Sequence, residues 1–441
     1  MKYIRKSVNL VVVLFAILVL VNLVWFGAML LGGGEEDDEG NPAENTSIYD
    51  DPWADTEQDG TTEATDVTEA TEDTEKDQPE KKTTEAPATT EPAEPTEDTS
   101  AEDGLYYSQL DEEGKAAYRT LLSGLKTRQE TIEISPCPKE TLSDAWAGLL
   151  MDHVEIFWAF EYHYSTLDGK AVSVEPDYIY TRDEIYDRQK QIESVVKEFV
   201  KKAKSRKTDY EKILYVYEYL IKSTDYEMEA KNNQHVDSVL LGKQSVCAGY
   251  AKTSKLLLNQ LGIEAYYVRG LSKDPPKDDP MGGSHAWNIV KCEGEYYHLD
   301  TTWGDPLFKG EGVKRPDEVL YDYLNCDDEE TFRTHTLDDH YKYPACNRME
   351  WNYYVVNGRY FQSYDEKTIS GLIKKDIDAG GKYSMFKFAT EKAYKTAFAA
   401  FEKKHFGEGA DYYCKVNQKD TTEYLYFYDD KTYRIEVYWT K

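Results

Sequence analysis

The distribution of apolar positions divides the 441-residue chain into three regimes. Val8 to Leu31 is a run of 24 residues in which Asn9 and Asn22 are the only strongly polar side chains, enough to cross a bilayer as a helix. From Gly32 to about Asp103 no periodicity survives. Thr, Glu, Asp, Pro and Ala dominate, with Tyr49 and Trp53 the only aromatics, and such a stretch buries too little apolar surface to offset the entropy of ordering it. It reads as a disordered, solvated spacer. From Leu105 onward the pattern becomes that of a folded α+β protein. Leu105–Lys126 is helix-like, Glu130–Ser135 a short strand and Thr141–Asp152 a helix. Val154–Tyr164 and Ala171–Tyr180, rich in aromatic and β-branched residues, read as a hairpin. Helices follow over Arg182–Lys204 and Thr208–Ser223, the second with Ile213, Val216, Tyr217, Leu220 and Ile221 at helical spacing.

The segment from Gly242 to Pro306 carries the chemistry. Ser245-Val246-Cys247-Ala248-Gly249-Tyr250-Ala251 leads into an apolar run that ends at Leu261-Gly262. Cys247, Ala251, Ser254, Leu258 and Leu261 recur on one helical face, Ser245 is the expected N-cap and Gly262 the residue just past the C-terminus. Cys247 then lies in the first helical turn, where unpaired backbone N–H groups and the helix dipole favour a thiolate. Glu264–Arg269 reads as a strand, followed by a polar loop over Gly270–Ser284. His285–Cys292 and Glu295–Trp303 flank Glu293-Gly294, a hairpin signal. A two-residue turn there sets His285 opposite Thr302 and diagonal to Asp300, on one face of the pair. The other face carries Ala286, Val290, Cys292, Leu299 and Trp303 and is the expected core surface.

A helix-borne Cys, a strand His and an acid that orients the His form a thiol acyl-transfer triad. The acid fixes the imidazole tautomer, the imidazole takes the thiol proton, and the thiolate attacks an amide carbonyl. Water as second nucleophile gives hydrolysis; a primary amine gives cross-linking. The Cys247 backbone N–H is the simplest oxyanion donor, with the Gln244 side chain as a further candidate.

Val246–Ala251, Leu261-Gly262-Ile263, His285-Ala286-Trp287-Asn288 and Tyr297–Pro306, in that order, resemble the transglutaminase-like superfamily, specifically its bacterial cell-surface members. The resemblance implies a papain-like α+β core, a helix-borne Cys packed on an antiparallel sheet, with Cys247 as nucleophile, His285 as base and Asp300 as orienting acid. In the eukaryotic cross-linking members a Trp follows the Cys; here Ala248 follows, as in the bacterial members, a departure that counts against protein cross-linking and leaves both hydrolysis and amine transfer open. The family also contains members that have lost activity, so a silent surface scaffold or adhesion protein is the alternative function. No cofactor or metal is implied.

The remaining polar and aromatic residues read mainly as structure. His298 falls on the Asp300 face and is expected to be a satisfied histidine; Trp287 and Trp303 read as packing. Cys326 and Cys346 could pair as a disulfide outside the cell, and with His335 and His340 nearby a zinc site was weighed, although the spacing fits no tight ligand motif. From Trp351 the pattern reads strand (Tyr353–Phe361), helix (Glu366–Asp378), strand (Lys382–Phe388), helix (Glu391–Lys404), then three Tyr-rich strands ending at Trp439, a small ferredoxin-like α+β module.

Charge completes the organisation. The net −31 is concentrated: residues 35–104 hold 26 acids against Lys76, Lys81 and Lys82, whereas residues 105–441 hold 46 basic and 57 acidic side chains. The acidity therefore belongs to the spacer, and no basic surface for nucleic acid is indicated. Lys2, Arg5 and Lys6 precede the apolar run and the Glu35–Glu39 cluster follows it, which orients the N-terminus to the cytoplasm and the rest outside. A cleaved signal peptide, which would leave the body secreted, is the alternative; the length of the run and the lack of a clear small-x-small cleavage site in Ala28–Gly32 count against it. The expected organisation is a basic tip and membrane anchor over 1–34, a stalk over 35–104, a transglutaminase-like domain over 105–349 and an α+β module over 350–441. The expected partner is an extracellular protein or peptide, with the cell wall as one location.

Overall fold

The structure is a computed structural model that describes residues 5–7, 104–273, 283–305 and 319–439. The apolar run Val8–Leu31 and the stalk lie outside the described residues. Among the described residues no helix is long and apolar enough to cross a membrane. The fold divides into two compact units that meet in the chain near residue 190.

In the first unit, helix α1 (Glu112–Thr127) starts at Asp111, whose carboxylate accepts from the Gly114 N–H, and it precedes strand β1 (Ile132–Cys137) and helix α2 (Lys139–Asp152). Strands β2 (Ala159–Leu167) and β3 (Lys170–Tyr178) form the expected hairpin, and the antiparallel sheet runs β1-β3-β2. Helix α3 (Arg182–Ala203) then carries the chain into the second unit.

The second unit begins with helix α4 (Asp209–Ser223), whose predicted stripe Ile213, Val216, Tyr217, Leu220 and Ile221 is buried and whose start is closed by a reciprocal Thr208–Glu211 capping box. Two-residue strands β4 (Asp225–Tyr226) and β5 (Gln244–Ser245) pair in parallel and deliver the chain to helix α5 (Cys247–Gln260). Next come β6 (Ala265–Ser272), β7 (Ser284–Cys292), β8 (Glu295–Leu299), β9 (Leu324–Cys326), helix α6 (Asp328–Thr331) and β10 (His335–Leu337). They build an antiparallel sheet of order β9-β8-β7-β6-β10. Asn288 Nδ2 on β7 donates to the Ala251 carbonyl of α5 at 2.9 Å, which pins the Cys-bearing helix to the sheet.

The C-terminal part holds α7 (Tyr353–Val356), β11 (Tyr360–Phe361), α8 (Glu366–Asp378), β12 (Tyr383–Phe388), α9 (Glu391–Ala400), α10 (Phe406–Val416), β13 (Tyr424–Asp429) and β14 (Arg434–Tyr438). The sheet order is β13-β14-β12-β11, with Arg5–Ser7 paired in parallel along β13. This differs from the ferredoxin-like expectation: Tyr353–Val356 is helix, α10 is an additional helix and two strands close the module. β propensity favours strand for this aromatic stretch, but Phe406, Ala410, Tyr413 and Cys414 recur at helical spacing and are buried, and tertiary burial outweighs propensity. Tyr424, Tyr426 and Tyr438 of the closing strands lie in the core.

Candidate active site

Cys247 opens α5 as predicted, but the cap differs. Val246, not Ser245, is the N-cap residue, and no side chain caps the helix. Ser245 is occupied elsewhere: its hydroxyl donates to the Asn233 carbonyl and lies 2.8 Å from Ser238 Oγ, while the Val246 N–H donates to the same Asn233 carbonyl at 3.1 Å. The turn before the nucleophile is thus held by the Asn233–Ser238 segment. Farther along, Tyr250 donates to the Thr224 carbonyl at 2.7 Å and Ser254 meets Thr301 at 3.2 Å. Gly262 takes φ +77° just past the helix end, as the sequence required. Gln244, the further oxyanion candidate, is exposed on β5.

The β7–β8 hairpin has the register read from Glu293-Gly294: Cys292 pairs with Glu295, Ile289 with His298 and Asn288 with Leu299. Both turn residues have positive φ, 50° and 94°, which matches the right-handed twist of the strands. The ladder ends at Leu299, earlier than expected, and His285 pairs with Gly270 of β6 rather than with Thr302. Asp300 leaves the strand, its N–H donating to the Tyr323 carbonyl at 3.0 Å. Its carboxylate still meets His285, with Nε2 donating to Oδ2 at 2.6 Å. The expected segregation of polar and apolar faces does not hold. Trp287 and Ile289, on the His285 face, join Val268 and Cys346 in a core cluster, and Trp303 lies 5.8 Å from the His285 ring because the chain turns before reaching it.

His285 and Asp300 are both almost fully buried. Burial alone would depress the imidazole, but the charge and hydrogen bond of Asp300, with a hydrogen bond to Cys247, raise it to about 10. Since Nε2 is committed to Asp300, the other ring nitrogen serves the thiol. Burial would raise the Asp300 carboxyl, and the charges and N–H groups of His285 and His335 instead hold it well below the usual carboxylate range. Asp300 Oδ1 accepts the Trp303 N–H at 3.0 Å. The three predicted residues are thereby joined in one buried hydrogen-bonded chain.

One neighbour of Asp300 is not legible in the sequence. His335, weighed as a zinc ligand with His340 and the two cysteines, is fully buried on β10 and places Nε2 3.1 Å from Asp300 Oδ2, whereas His340 is exposed. The six cysteines are free thiols; Cys326 Sγ donates to the Asp322 carbonyl, so the Cys326–Cys346 disulfide does not form here.

Two donor groups are compact enough to raise the question of a metal: His285, Asp300 and His335, and His298, Asp328 and Cys346. Two ligands of one zinc ion stand about 3 Å apart or more, and the 2.6 Å His285–Asp300 contact is that of a charge-assisted hydrogen bond. In the second group Trp287 Nε1 donates to His298 Nδ1 at 3.0 Å, while Nε2 lies 2.9 Å from Asp328 Oδ1. Because the indole is a donor only, the His298 proton sits on Nε2 and goes to Asp328. His298 is the satisfied core histidine that was expected.

Residues 194–301 match the family model of the transglutaminase-like superfamily. The kyphoscoliosis peptidases of Mus musculus and Homo sapiens are each 26% identical over 109 residues, 23% of this chain. The chain spans only 16% of the length of these curated relatives. A crystal structure described as a TGase aligns over 36% of this chain and 47% of its own, with 16% identity and a TM-score of 0.24.

Proposed function

Residues 194–301 of this chain are a transglutaminase-like domain, and from that premise we propose that the protein is a thiol enzyme acting on amide bonds, with Cys247 as nucleophile, His285 as general base and acid, and Asp300 as the orienting carboxylate. The observation that carries the reading is the buried 2.6 Å His285–Asp300 contact, with the same imidazole hydrogen-bonded to Cys247. Asp300 holds the Nε2 proton, so the opposite nitrogen is aimed at the thiol. That nitrogen holds the proton drawn from Cys247, so the sulfur attacks as a thiolate: it bonds to the substrate carbonyl carbon, and the C=O electron pair moves to oxygen. The uncapped N–H groups at the start of α5 are available to the oxyanion. Collapse breaks the C–N bond, His285 returns the proton to the departing amine, and an acyl-enzyme thioester remains. Water releases an acid; a primary amine releases a new amide.

The test uses the full chain with a peptide library, seeking by mass spectrometry either a cleavage product or an amine adduct. Loss of turnover in Cys247→Ala is expected. The reading fails if iodoacetamide labels Cys247 no faster than it labels the denatured chain and Cys247→Ala leaves turnover unchanged. The alternative, a silent surface scaffold on the same fold, rests on the Tyr-rich C-terminal module and the long stalk; the burial of Tyr424, Tyr426 and Tyr438 weakens the first of these.

Membrane tethering through Val8–Leu31, with the body outside the cell and an extracellular protein or peptide as substrate, belongs to the same proposal. It competes with the pairing of Arg5–Ser7 along β13, because a span would put these on opposite sides of the bilayer. Three paired residues contribute a few backbone hydrogen bonds of about 1 kcal/mol each. Burying the apolar run contributes about 1.5–3 kcal/mol for each large side chain, so the span prevails. Protease added to intact cells should remove the folded body; full protection of the body would overturn the tethering.

A further inference from the structure

Asp300 Oδ2 receives two imidazoles, His285 from β7 at 2.6 Å and His335 from β10 at 3.1 Å. Only the first belongs to the proposed triad. The second is fully buried, with its ring 5.2 Å from that of His285 and 4.6 Å from Trp303. Its Nδ1 lies 2.9 Å from Thr334 Oγ1, which lies 3.1 Å from the Tyr323 hydroxyl. An ionised Asp300 can only accept, so His335 Nε2 carries the proton and Nδ1 accepts from Thr334. This tautomer is the one in which both ring nitrogens are satisfied.

We propose that His335 is a positioning residue of this site, a neutral imidazole that holds Asp300 Oδ2 from a second direction and keeps that carboxylate aimed at His285. The inference rests on the thiol-enzyme reading above. A carboxylate anchored by one imidazole and the Trp303 N–H could swing about its Cα–Cβ bond; a second buried donor on the very oxygen that serves His285 removes that freedom. The role requires a neutral ring, because a second imidazolium 5.2 Å from a protonated His285 would repel it and compete for the same oxygen. The surroundings keep His335 neutral: burial depresses it to about 4, with His285 and His298 lowering it and Asp300 alone raising it. The other titratable groups around Asp300 are the phenols of Tyr217 on α4 and Tyr323 and, through His285, Cys247 on α5. Both phenols are buried and held well above their usual value, so His335 is the group that changes charge on mild acidification.

The test follows the rate at which Cys247 reacts with 2,2′-dipyridyl disulfide between pH 3.5 and 8 in full-length wild type, His335→Leu and His335→Gln, with Cys247→Ala as background and a melting curve at each pH. A hydrogen bond to a charged group corresponds to about tenfold or more in rate. His335→Leu should therefore slow the reaction at pH 7 about tenfold, and His335→Gln, which keeps an N–H at the end of its side chain, should restore most of it. The wild-type rate should fall as His335 gains its proton near pH 4, and His335→Gln should lack that limb, an acid-side gain that a packing defect does not produce. Wild-type rates at pH 7 in His335→Leu, or an unchanged acid limb in His335→Gln, would overturn the proposal. If His335→Leu does not fold, the His335→Gln limb decides alone. A wild-type Cys247 no faster than a free thiol would instead sink the thiol-enzyme reading itself.

Discussion

Lys387 Nζ lies 2.9 Å from Glu330 Oε2, and both side chains are almost completely buried. The first belongs to β12 of the C-terminal sheet and the second to α6, five residues before His335, which opens β10. Tyr360 on β11 donates to the other Glu330 oxygen at 3.0 Å, and Arg434 on β14 pairs with buried Asp322 at 2.7 Å. The C-terminal module therefore grips both ends of the 322–335 segment that wraps Asp300.

Replacing Lys387 with Met removes the cation at Oε2 and leaves Glu330 with Arg333, 2.9 Å from Oε1, a loss of about 1–3 kcal/mol. The double variant Lys387→Met/Glu330→Gln should recover part of it, because the buried carboxylate is gone and Arg333 keeps Glu329 within 3.8 Å. Urea unfolding of the single and double variants measures this. Equal stability of wild type and Lys387→Met would show that the grip contributes nothing.

How far the site could be read from sequence depended on how local its determinants were. Glu293-Gly294 set a register that the structure follows from Cys292–Glu295 to Asn288–Leu299, because turn type and strand alternation act over a few residues, and loses beyond Leu299, where the chain leaves the strand. Cys247 and Gly262 marked the ends of α5 for the same reason. Ser245 failed as the cap because a carbonyl 12 residues upstream, at Asn233, takes its hydroxyl. His335 was not legible because its partner lies 35 residues earlier and His335 itself sits on a three-residue strand whose pairing with β6 no local pattern announces.

Gly249 has no freedom to gain a side chain. A Cβ there would stand 2.0 Å from Ser245 Oγ and 2.9 Å from the Asn233 carbonyl oxygen. On helix propensity alone Gly→Ala would stabilise by about 1 kcal/mol. The clash opposes it, because the carbonyl is backbone already fixed by two donors, and forced overpacking costs about 1–3 kcal/mol. Gly249→Ala should therefore lower the melting temperature and slow Cys247 alkylation, since the displaced turn carries the nucleophile. A melting temperature above wild type would refute this.

Trp287 fixes the His298 proton on Nε2, facing Asp328. Trp287→Phe removes the indole donor and frees the imidazole to place its proton on Nδ1, which would open Nε2 to a cation beside Asp328 and Cys346. Zinc titration by calorimetry should show tighter uptake in Trp287→Phe than in wild type, abolished by adding His298→Ala. Identical isotherms for the two would mean that the indole does not govern that nitrogen.

The charge state of His285 sets the pH response. Burial is the largest influence on it and favours the neutral ring; Asp300 and Cys247 reverse the sign and raise it to about 10. With a folded value above the ordinary 6.5, the pair stabilises the fold fully below about pH 6.5, and that contribution declines as pH rises through 10. On the acid side the depressed Asp300 contributes above its ordinary value of about 3.9 and is lost only as pH falls through its lower folded value. Nitrogen-15 NMR of the histidine rings reads the balance directly. In wild type His285 should remain an imidazolium at pH 8. In Cys247→Ala its midpoint should fall but stay above 6.5, because Asp300 still opposes burial. In Asp300→Asn burial is left without its main opponent and the midpoint should drop below 6.5. An unchanged His285 titration in Asp300→Asn would show that the carboxylate does not hold the imidazole charged.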